Sequence, residues 1–325
     1  MRTKTIQIAE NGGPEVMRLV ETDVPSPGKG EITLRQTAIG LNYIDTYHRS
    51  GLYQLPLPAS LGMEAAGVVE AVGEGVKGIK VGDRVAYGLG PRGAYAEFRN
   101  VPAVRVAKLP KAISNETAAG MMLKGLTVRA LLRSVYKVKR GETILFHAAA
   151  GGVGVIFTQW AKALGVKVIG TVGSDDKVAV AKAYGCAHVI NYRTDDVVAR
   201  VKEITKGAGV PVVYDGVGQA TFMTSLDCLK PRGLLVSFGN ASGPVKSFEL
   251  GLLAAKGSLY VTRPTVMNYM ADDTELAEAS RDLIEVVRSG KVRIPINQRY
   301  SLSDVAKAHR DLESRATTGT TILLP

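Results

Sequence analysis

Residues 142–174 read ETILFHAAAGGVGVIFTQWAKALGVKVIGTVGS, and this segment constrains the fold more than any other. A short apolar run at 143–147 enters Ala148-Ala149-Ala150-Gly151-Gly152-Val153-Gly154. A helical pattern at 155–164 follows, and then a second apolar run at 167–171. Ala148, Gly151 and Gly154 keep the spacing of a phosphate-binding glycine loop with alanine in its first place. Glycine at 151 lets the backbone approach a pyrophosphate without a Cβ, and glycine at 154 lets the helix pack closely on the strand. The exposed amides of Gly151-Gly152-Val153-Gly154 and the positive end of the helix dipole then hold the phosphates. A glycine-rich turn alone is weak evidence; here it lies between a strand and a helix with another strand beyond, as a dinucleotide-binding unit requires.

The second strand decides between dinucleotides. NAD-specific folds end it in an acidic residue that binds the ribose 2′-hydroxyl. Here it ends in Gly173 and Ser174, with Lys177 one helical turn on. A hydroxyl and a lysine accommodate a 2′-phosphate, so the expected cofactor is NADPH. Asp175 and Asp176 read as first-turn helix residues, where negative charge is favourable; a carboxylate turned to the ribose would reverse the assignment.

The alternation of strand and helix continues, with candidate strands at 188–190, 210–214 and 234–238, which argues for a parallel, doubly wound sheet. Before it the text differs. Residues 1–125 are glycine-rich, with short apolar runs at 32–34, 66–72 and 84–87, and read as a β-rich, barrel-like domain. The expected division is therefore 1–125, 126–265 and a C-terminal stretch 266–325. That stretch opens with an amphipathic helix at 273–289, whose Leu276, Leu283, Ile284 and Val287 share a face, and closes with a strand at 319–324.

The 41 basic and 30 acidic residues leave a formal charge of +11. The basic residues are scattered rather than blocked, which suits a solvated surface and a phosphate-rich cofactor and argues against a nucleic-acid partner. No apolar run is long enough to span a membrane, and the first residues alternate like a strand rather than a signal peptide. Cys186 and Cys228 lack metal-ligand spacing and read as buried thiols of a reducing compartment, so the expected location is cytoplasmic.

Several stretches together resemble the zinc-free quinone oxidoreductases, the zeta-crystallin-like members of the medium-chain dehydrogenase/reductase superfamily. They are GLNYIDTYHRSGLY (40–53), GMEAAGVVEAVGEGV (62–76), GDRVAY (82–87), LKGLTV (123–128), HAAAGGVG (147–154), VINYR (189–193), VSFGN with Asn240 at its end, GSLYVTRP (257–264) and SRATTG (314–319). The resemblance implies a GroES-like catalytic domain formed by both chain ends around a Rossmann domain, a homodimer, and bound NADPH. It implies that Gly173, Ser174, Lys177 and Tyr192 surround the adenosine phosphate. Val217, Phe238, Gly239 and Asn240 would follow the ribose and pyrophosphate. Asn42, Tyr47, Thr127, Val261 and Arg263 would approach the nicotinamide, and Arg315 would reach the cofactor too.

Zinc relatives in that superfamily bind the metal through cysteine and histidine, reading Gly-His-Glu where this chain has Gly62-Met63-Glu64. Near residue 40, where a ligand cysteine would sit, this chain reads Gly40-Leu41-Asn42. A thioether and an amide do not replace an imidazole and a thiolate, and no metal is expected. Without a Lewis acid, hydride transfer to an electron-poor acceptor is the natural chemistry, with the protein positioning the reactants. Asn42, Tyr47, Tyr53 and Arg263 are the candidate positioning residues. The two tyrosines offer a flat apolar face and a hydroxyl, and Arg263 could balance charge on a reduced oxygen. Tyr43 and Trp160 read as packing, His48 as a surface residue, Glu64 as a buried paired carboxylate, and Asp45 as orienting a neighbour. Lys124 reads equally well as structural. The acceptor is a quinone or, alternatively, an enone or alkenal; a structural or RNA-binding protein is the remaining class.

Overall fold

The computed structural model describes residues 1–325, which divide into two compact units. One comprises Met1–Thr127, Met270–Gly290 and Ile294–Pro325; the other comprises Val128–Tyr269 and Lys291–Arg293. No helix is long and apolar enough to cross a membrane.

The first unit begins with β1 (Arg2–Ile8), β2 (Arg18–Asp23), β3 (Glu31–Gly40), α1 (Tyr43–Ser50), β4 (Ala59–Ser60), β5 (Glu64–Val72), β6 (Arg84–Tyr87), β7 (Phe98–Pro102), β8 (Ala107–Lys108) and α2 (Asn115–Ala130). The last residues of α2 belong to the other unit. In β3 the burial alternates only from Leu34 to Ala38 and is continuous at Ala38–Ile39–Gly40, as in a strand whose end is covered on both faces. Its bulged pairing with β5 bends both strands and brings their ends at Gly40 and Glu64 side by side.

The second unit follows with β9 (Thr143–Phe146), α3 (Gly152–Ala163), β10 (Lys167–Val172), α4 (Asp175–Ala183), β11 (His188–Asn191), α5 (Val197–Ile204), β12 (Val210–Asp215), α6 (Phe222–Asp227), β13 (Leu229–Ser237), α7 (Gly251–Ala255), β14 (Tyr260–Thr262) and α8 (Val266–Tyr269). Its strands form one parallel sheet in the order β11-β10-β9-β12-β13-β14, the doubly wound arrangement expected from the sequence. β13 starts five residues earlier than the apolar run suggests. Leu229 already pairs with Val210, and an irregular register carries the strand past Pro231 and Gly233.

The chain returns to the first unit with α9 (Asp273–Arg288), β15 (Ile296–Ser301), α10 (Val305–Glu313) and β16 (Thr320–Leu324). β16 pairs with β3, which completes the sheet β15-β16-β3-β5-β6-β8 with β7 beside β3. Asp272 caps α9 by accepting from the amides of Thr274 and Glu275 at 2.8 and 3.1 Å. Leu276, Ala279 and Leu283 are buried along its apolar face, each leucine contributing about 2 kcal/mol. Leu283 packs so closely on α2 that Gly125 has no room for a side chain.

Candidate functional site

In the parallel-sheet unit, β9 ends at a turn whose first residue, Ala148, takes φ of 58°. This left-handed conformation costs an L-residue roughly 1–2 kcal/mol and is held from both sides. The Gly151 amide donates to the Ala148 carbonyl at 3.0 Å, and the Ala149 amide donates to the Thr171 carbonyl at 3.0 Å. Gly151 is the N-cap of α3, leaving the first-turn amides of Gly152, Val153 and Gly154 without helical acceptors. A Cβ at Gly154 would lie 2.5 Å from the Ala149 carbonyl oxygen and 2.6 Å from that of Ala148. At Gly151 it would meet only the Ala148 oxygen, at 3.3 Å, so that face of the turn is open to an anion. The two glycines thus have different jobs: one permits helix–strand contact, the other backbone approach.

Beneath this turn lies a buried polar network that the sequence reading missed. Asp215, at the end of β12, accepts from the Val217 and Gly218 amides through Oδ1 at 2.8 and 3.0 Å. Through Oδ2 it accepts from the hydroxyls of Thr221 and Ser225, both at 2.7 Å. Because the Ser225 proton is used there, Ser225 Oγ accepts from His147 Nε2–H at 3.0 Å, and His147 Nδ1 accepts from the Thr171 hydroxyl at 2.9 Å. Burial holds the imidazole below its ordinary pKa against the pull of the Asp215 charge, which keeps this neutral tautomer. One carboxylate therefore fixes the 216–218 turn, the end of β9 and the end of β10. Only DGVG after a strand marked this place in the sequence, since His147 and Ser225 are 78 positions apart.

The candidate adenosine-end residues lie at the tips of β10 and β11. Tyr192 packs directly on Gly173, where a Cβ would collide with its hydroxyl. Ser174 is the N-cap of α4 but its side chain makes no cap bond. Asp175 accepts from the Asn191 side chain at 2.8 Å, so this carboxylate is engaged within the protein as a first-turn residue. Lys177 is in the first turn and a half of the same helix. At the tips of β12 and β13, Gly239 packs on the Gly216 carbonyl and Phe238 on Gly216, backbone against ring. Val261 lies in β14, paired with Leu235. Arg263 follows it and donates to the Ser237 carbonyl at 2.8 Å. With its amide turned to satisfy both neighbours, Asn240 accepts from Arg263 at 3.1 Å and donates to the Gly239 carbonyl at 3.0 Å. Arg263 thus orders the 237–240 loop.

In the β-rich unit, Asn42 and Asp45 close a capping box at the start of α1. The Asn42 amide donates to Asp45 Oδ2 at 2.9 Å; its side-chain nitrogen donates to Glu64 at 2.8 Å and to the Gly40 carbonyl at 3.4 Å. Glu64 is fully buried and also accepts from the Leu123 amide at 2.8 Å and from Lys124 at 3.3 Å. Burial raises its pKa, and Lys124 and these donors oppose the rise. Tyr43, Tyr47 and Tyr53 form a row of rings with centroids 5.7 and 5.2 Å apart. The expectation of a surface His48 is overturned: it is 5% exposed, packed edge-on to Tyr53. Being one of the five buried residues of α1, it faces the interior, and burial lowers its pKa to about 4 with help from Arg92. Thr127 Oγ1 bonds back to the Leu123 carbonyl at 2.8 Å. Arg315, at φ of 63°, lies near enough to Tyr43 for its charge to oppose the rise that burial imposes on that hydroxyl.

A second buried chain runs from α10 to α1. Arg49 pairs with Glu313 at 2.8 Å and donates to His309 Nδ1 at 2.8 Å. Since arginine only donates, His309 Nε2 carries the proton and donates to Tyr95 Oη at 3.1 Å, which donates to Asp45 Oδ2 at 2.8 Å. Asp45 Oδ1 and His48 Nδ1 are left without partners. Burial lifts Asp45 to about 7, and burial with Arg49 lowers His309 to about 3. No three His, Cys, Asp or Glu side chains gather in a group that could hold a metal ion.

A GroES-like β-rich unit joined in one chain to a Rossmann-type parallel sheet defines a dehydrogenase/reductase of the alcohol dehydrogenase type. Residues 28–111 match the alcohol dehydrogenase GroES-like domain and residues 152–281 the zinc-binding dehydrogenase model. The quinone oxidoreductase of Pseudomonas aeruginosa is 54% identical over 99% of both chains. The crystal structure of Escherichia coli quinone oxidoreductase complexed with NADPH superposes with a TM-score of 0.97 at 53% identity, covering 99% of this chain and 100% of that one. The 2-haloacrylate reductase of a Burkholderia species is 44% identical over 98% of each. The chain belongs to the quinone oxidoreductase family.

Proposed function

We propose that this protein is an NADPH:quinone oxidoreductase that transfers hydride to a quinone-like acceptor without a metal ion. The observation that carries the reading is the turn at 151–154, open at Gly151 and tight at Gly154, in a chain this similar to a quinone oxidoreductase solved with NADPH. NADPH, when bound, supplies the hydride.

Gly151, Gly152, Val153 and Gly154 would hold its pyrophosphate, and Gly173, Ser174, Lys177 and Tyr192 its 2′-phosphate. Engagement of Asp175 by Asn191 removes one carboxylate that would oppose that phosphate. Val217, Gly239 and Asn240 belong to the loops fixed by Asp215 and Arg263 and would line the ribose and pyrophosphate, with Phe238 beneath. Thr127, Val261 and Arg315 keep the cofactor-side roles that the resemblance implies. On the acceptor side, Tyr47 and Tyr53 would place an aromatic ring by face and edge contact. Asn42 serves as a brace, because both hydrogens of its amide are spent on Glu64 and Gly40.

The reaction profile tests this. NADPH oxidation should depend on 1,4-benzoquinone, with NADH at least about tenfold less efficient. Likeness to 2-haloacrylate reductase favours a second reading, reduction of an activated C=C bond. Turnover of 2-chloroacrylate or an alkenal, with no quinone reduced, would establish it and end the first.

A homodimer is part of the proposal. β14 is the last strand of its sheet, and Tyr260 on it is 61% exposed. An edge carrying an exposed aromatic is a template for pairing with a second copy. Light scattering should give twice the chain mass. A cytoplasmic location fits the two cysteines, which are unpaired, buried, and pushed up to about 12 by burial.

A further inference from the structure

We infer that Lys124 is a catalytic residue of the β-rich unit, the hydrogen-bond donor to the acceptor oxygen that gains charge during reduction. This rests on the quinone-reductase reading above and adds to it the group that takes up the charge.

Donor bookkeeping leads there. Asn42 has no hydrogen left to offer, since its side-chain nitrogen donates to Glu64 and to the Gly40 carbonyl. Glu64 only accepts, and its oxygens are occupied by the Leu123 amide, Asn42 and Lys124. The Lys124 ammonium has three hydrogens. One goes to the Leu41 carbonyl at 3.1 Å and one to Glu64 at 3.3 Å; the third has no acceptor in the protein.

Exposure gives the direction of access. The Glu64 side chain is 0% exposed and that of Lys124 is 8% exposed, so what surface the pair keeps belongs to the lysine side chain. The ammonium is also anchored. Its two acceptors belong to the β3–α1 connection and the start of β5, so the third N–H is held rather than swinging on a flexible stem.

The chemistry suits that donor. As hydride reaches the quinone, one carbonyl π pair moves onto its oxygen. After aromatisation the product is an aryloxide, and one proton from water completes the hydroquinone. Quinone, hydride and proton thus give hydroquinone in balance, with NADPH as the reductant. A preorganised N–H at low water exposure favours the charge on that oxygen more than it favours the neutral carbonyl, which lowers the barrier rather than merely tightening binding.

Lys124→Met should lower kcat with NADPH and 1,4-benzoquinone by about 100-fold, with KM for the quinone changed by less than about threefold. NADPH affinity, read by nicotinamide fluorescence, should stay unchanged. Lys124→Met strands the Glu64 carboxylate, so the deciding variant is Lys124→Met with Glu64→Gln, which removes both charges. If it recovers the wild-type Tm yet stays slow, the proposal is supported. If it recovers both Tm and kcat, the lysine merely balanced Glu64 and the proposal is overturned.

A binding measurement separates this from the fate of the quinone reading. Bound 4-nitrophenol should ionise about one pH unit lower on the wild type than on Lys124→Met, followed by its phenolate absorbance. A wild type inert to quinones would end the function proposed above while this titration still judged Lys124. No lysine-dependent shift would overturn the assignment.

Discussion

The two units each bury a chain of hydrogen bonds between a histidine and an aspartate, and the chains are built differently. In the parallel-sheet unit Asp215 accepts four hydrogen bonds and both nitrogens of His147 are engaged. In the β-rich unit the chain starts from the Arg49–Glu313 ion pair, passes through His309 and Tyr95, and stops at an aspartate with one bare oxygen. A complete network at low dielectric resists change and holds its geometry; an incomplete one leaves a buried carboxyl whose charged form is costly. The first suits a cradle that must present fixed amides. The second places a titratable carboxyl, that of Asp45, on the same helix that carries Tyr43 and Tyr47.

The largest expected effect breaks the complete network. In Asp215→Asn an amide NH₂ must face the hydroxyls of Thr221 and Ser225, or the amides of Val217 and Gly218. If Ser225 turns to accept from it, its own proton loses the only acceptor, because its other lone pair already serves His147. Stability should fall by about 3 kcal/mol, lowering the Tm of this unit by roughly 10 °C. NADPH affinity should fall by about tenfold or more, as the 216–218 turn and the end of β10 lose their common anchor. Calorimetry with a fluorescence titration reads both. A variant that lost stability but bound NADPH as before would reduce the network to a core feature.

That network also marks where the sequence ceased to be readable. The glycine turn was legible because its evidence is local: strand, turn, helix and strand follow within about thirty residues. Partners such as His147 with Ser225, or Arg49 with His309, come from elements that only the fold juxtaposes, 78 and 260 positions apart. α2 went unread for another reason. From Ala118 to Ala130 it is buried nearly all round, so it has no apolar stripe to detect. α1, eight residues with Ile44 its one aliphatic, reads as a cluster of pocket groups and hides that His48 faces inward. The Asn42 amide could be named from sequence, but its commitment to Glu64 could not.

A smaller effect probes the incomplete network through pH. Asp45 faces Tyr95, the Asn42 amide, the Lys124 cation and the Glu64 carboxyl, and burial outweighs the favourable contacts to place its pKa at about 7. An unfolded aspartate titrates near about 3.9. Folding therefore favours the protonated carboxyl: this contribution is complete below about pH 4 and is lost as pH rises through about 7. Asp45→Asn cannot ionise. Relative to the variant, the wild type should lose on the order of 2–4 kcal/mol between pH 4 and 8. Parallel Tm-against-pH curves for the two proteins would show that Asp45 stays ionised throughout, and that its bare oxygen has found a partner.

The smallest effect comes from a pair with the same chemistry and none of the burial. Arg2 and Glu21 approach to 3.3 Å across β1 and β2, but their side chains are 80% and 57% exposed. Water already solvates both charges, so little desolvation is at stake when the contact forms and little is recovered when it breaks. Glu21→Gln should shift Tm by less than about 1 °C, and 0.5 M salt should erase even that. A shift as large as that of Asp215→Asn would mean that the number of polar contacts, rather than their removal from water, governs stability here, and the contrast between the buried networks would lose its physical basis.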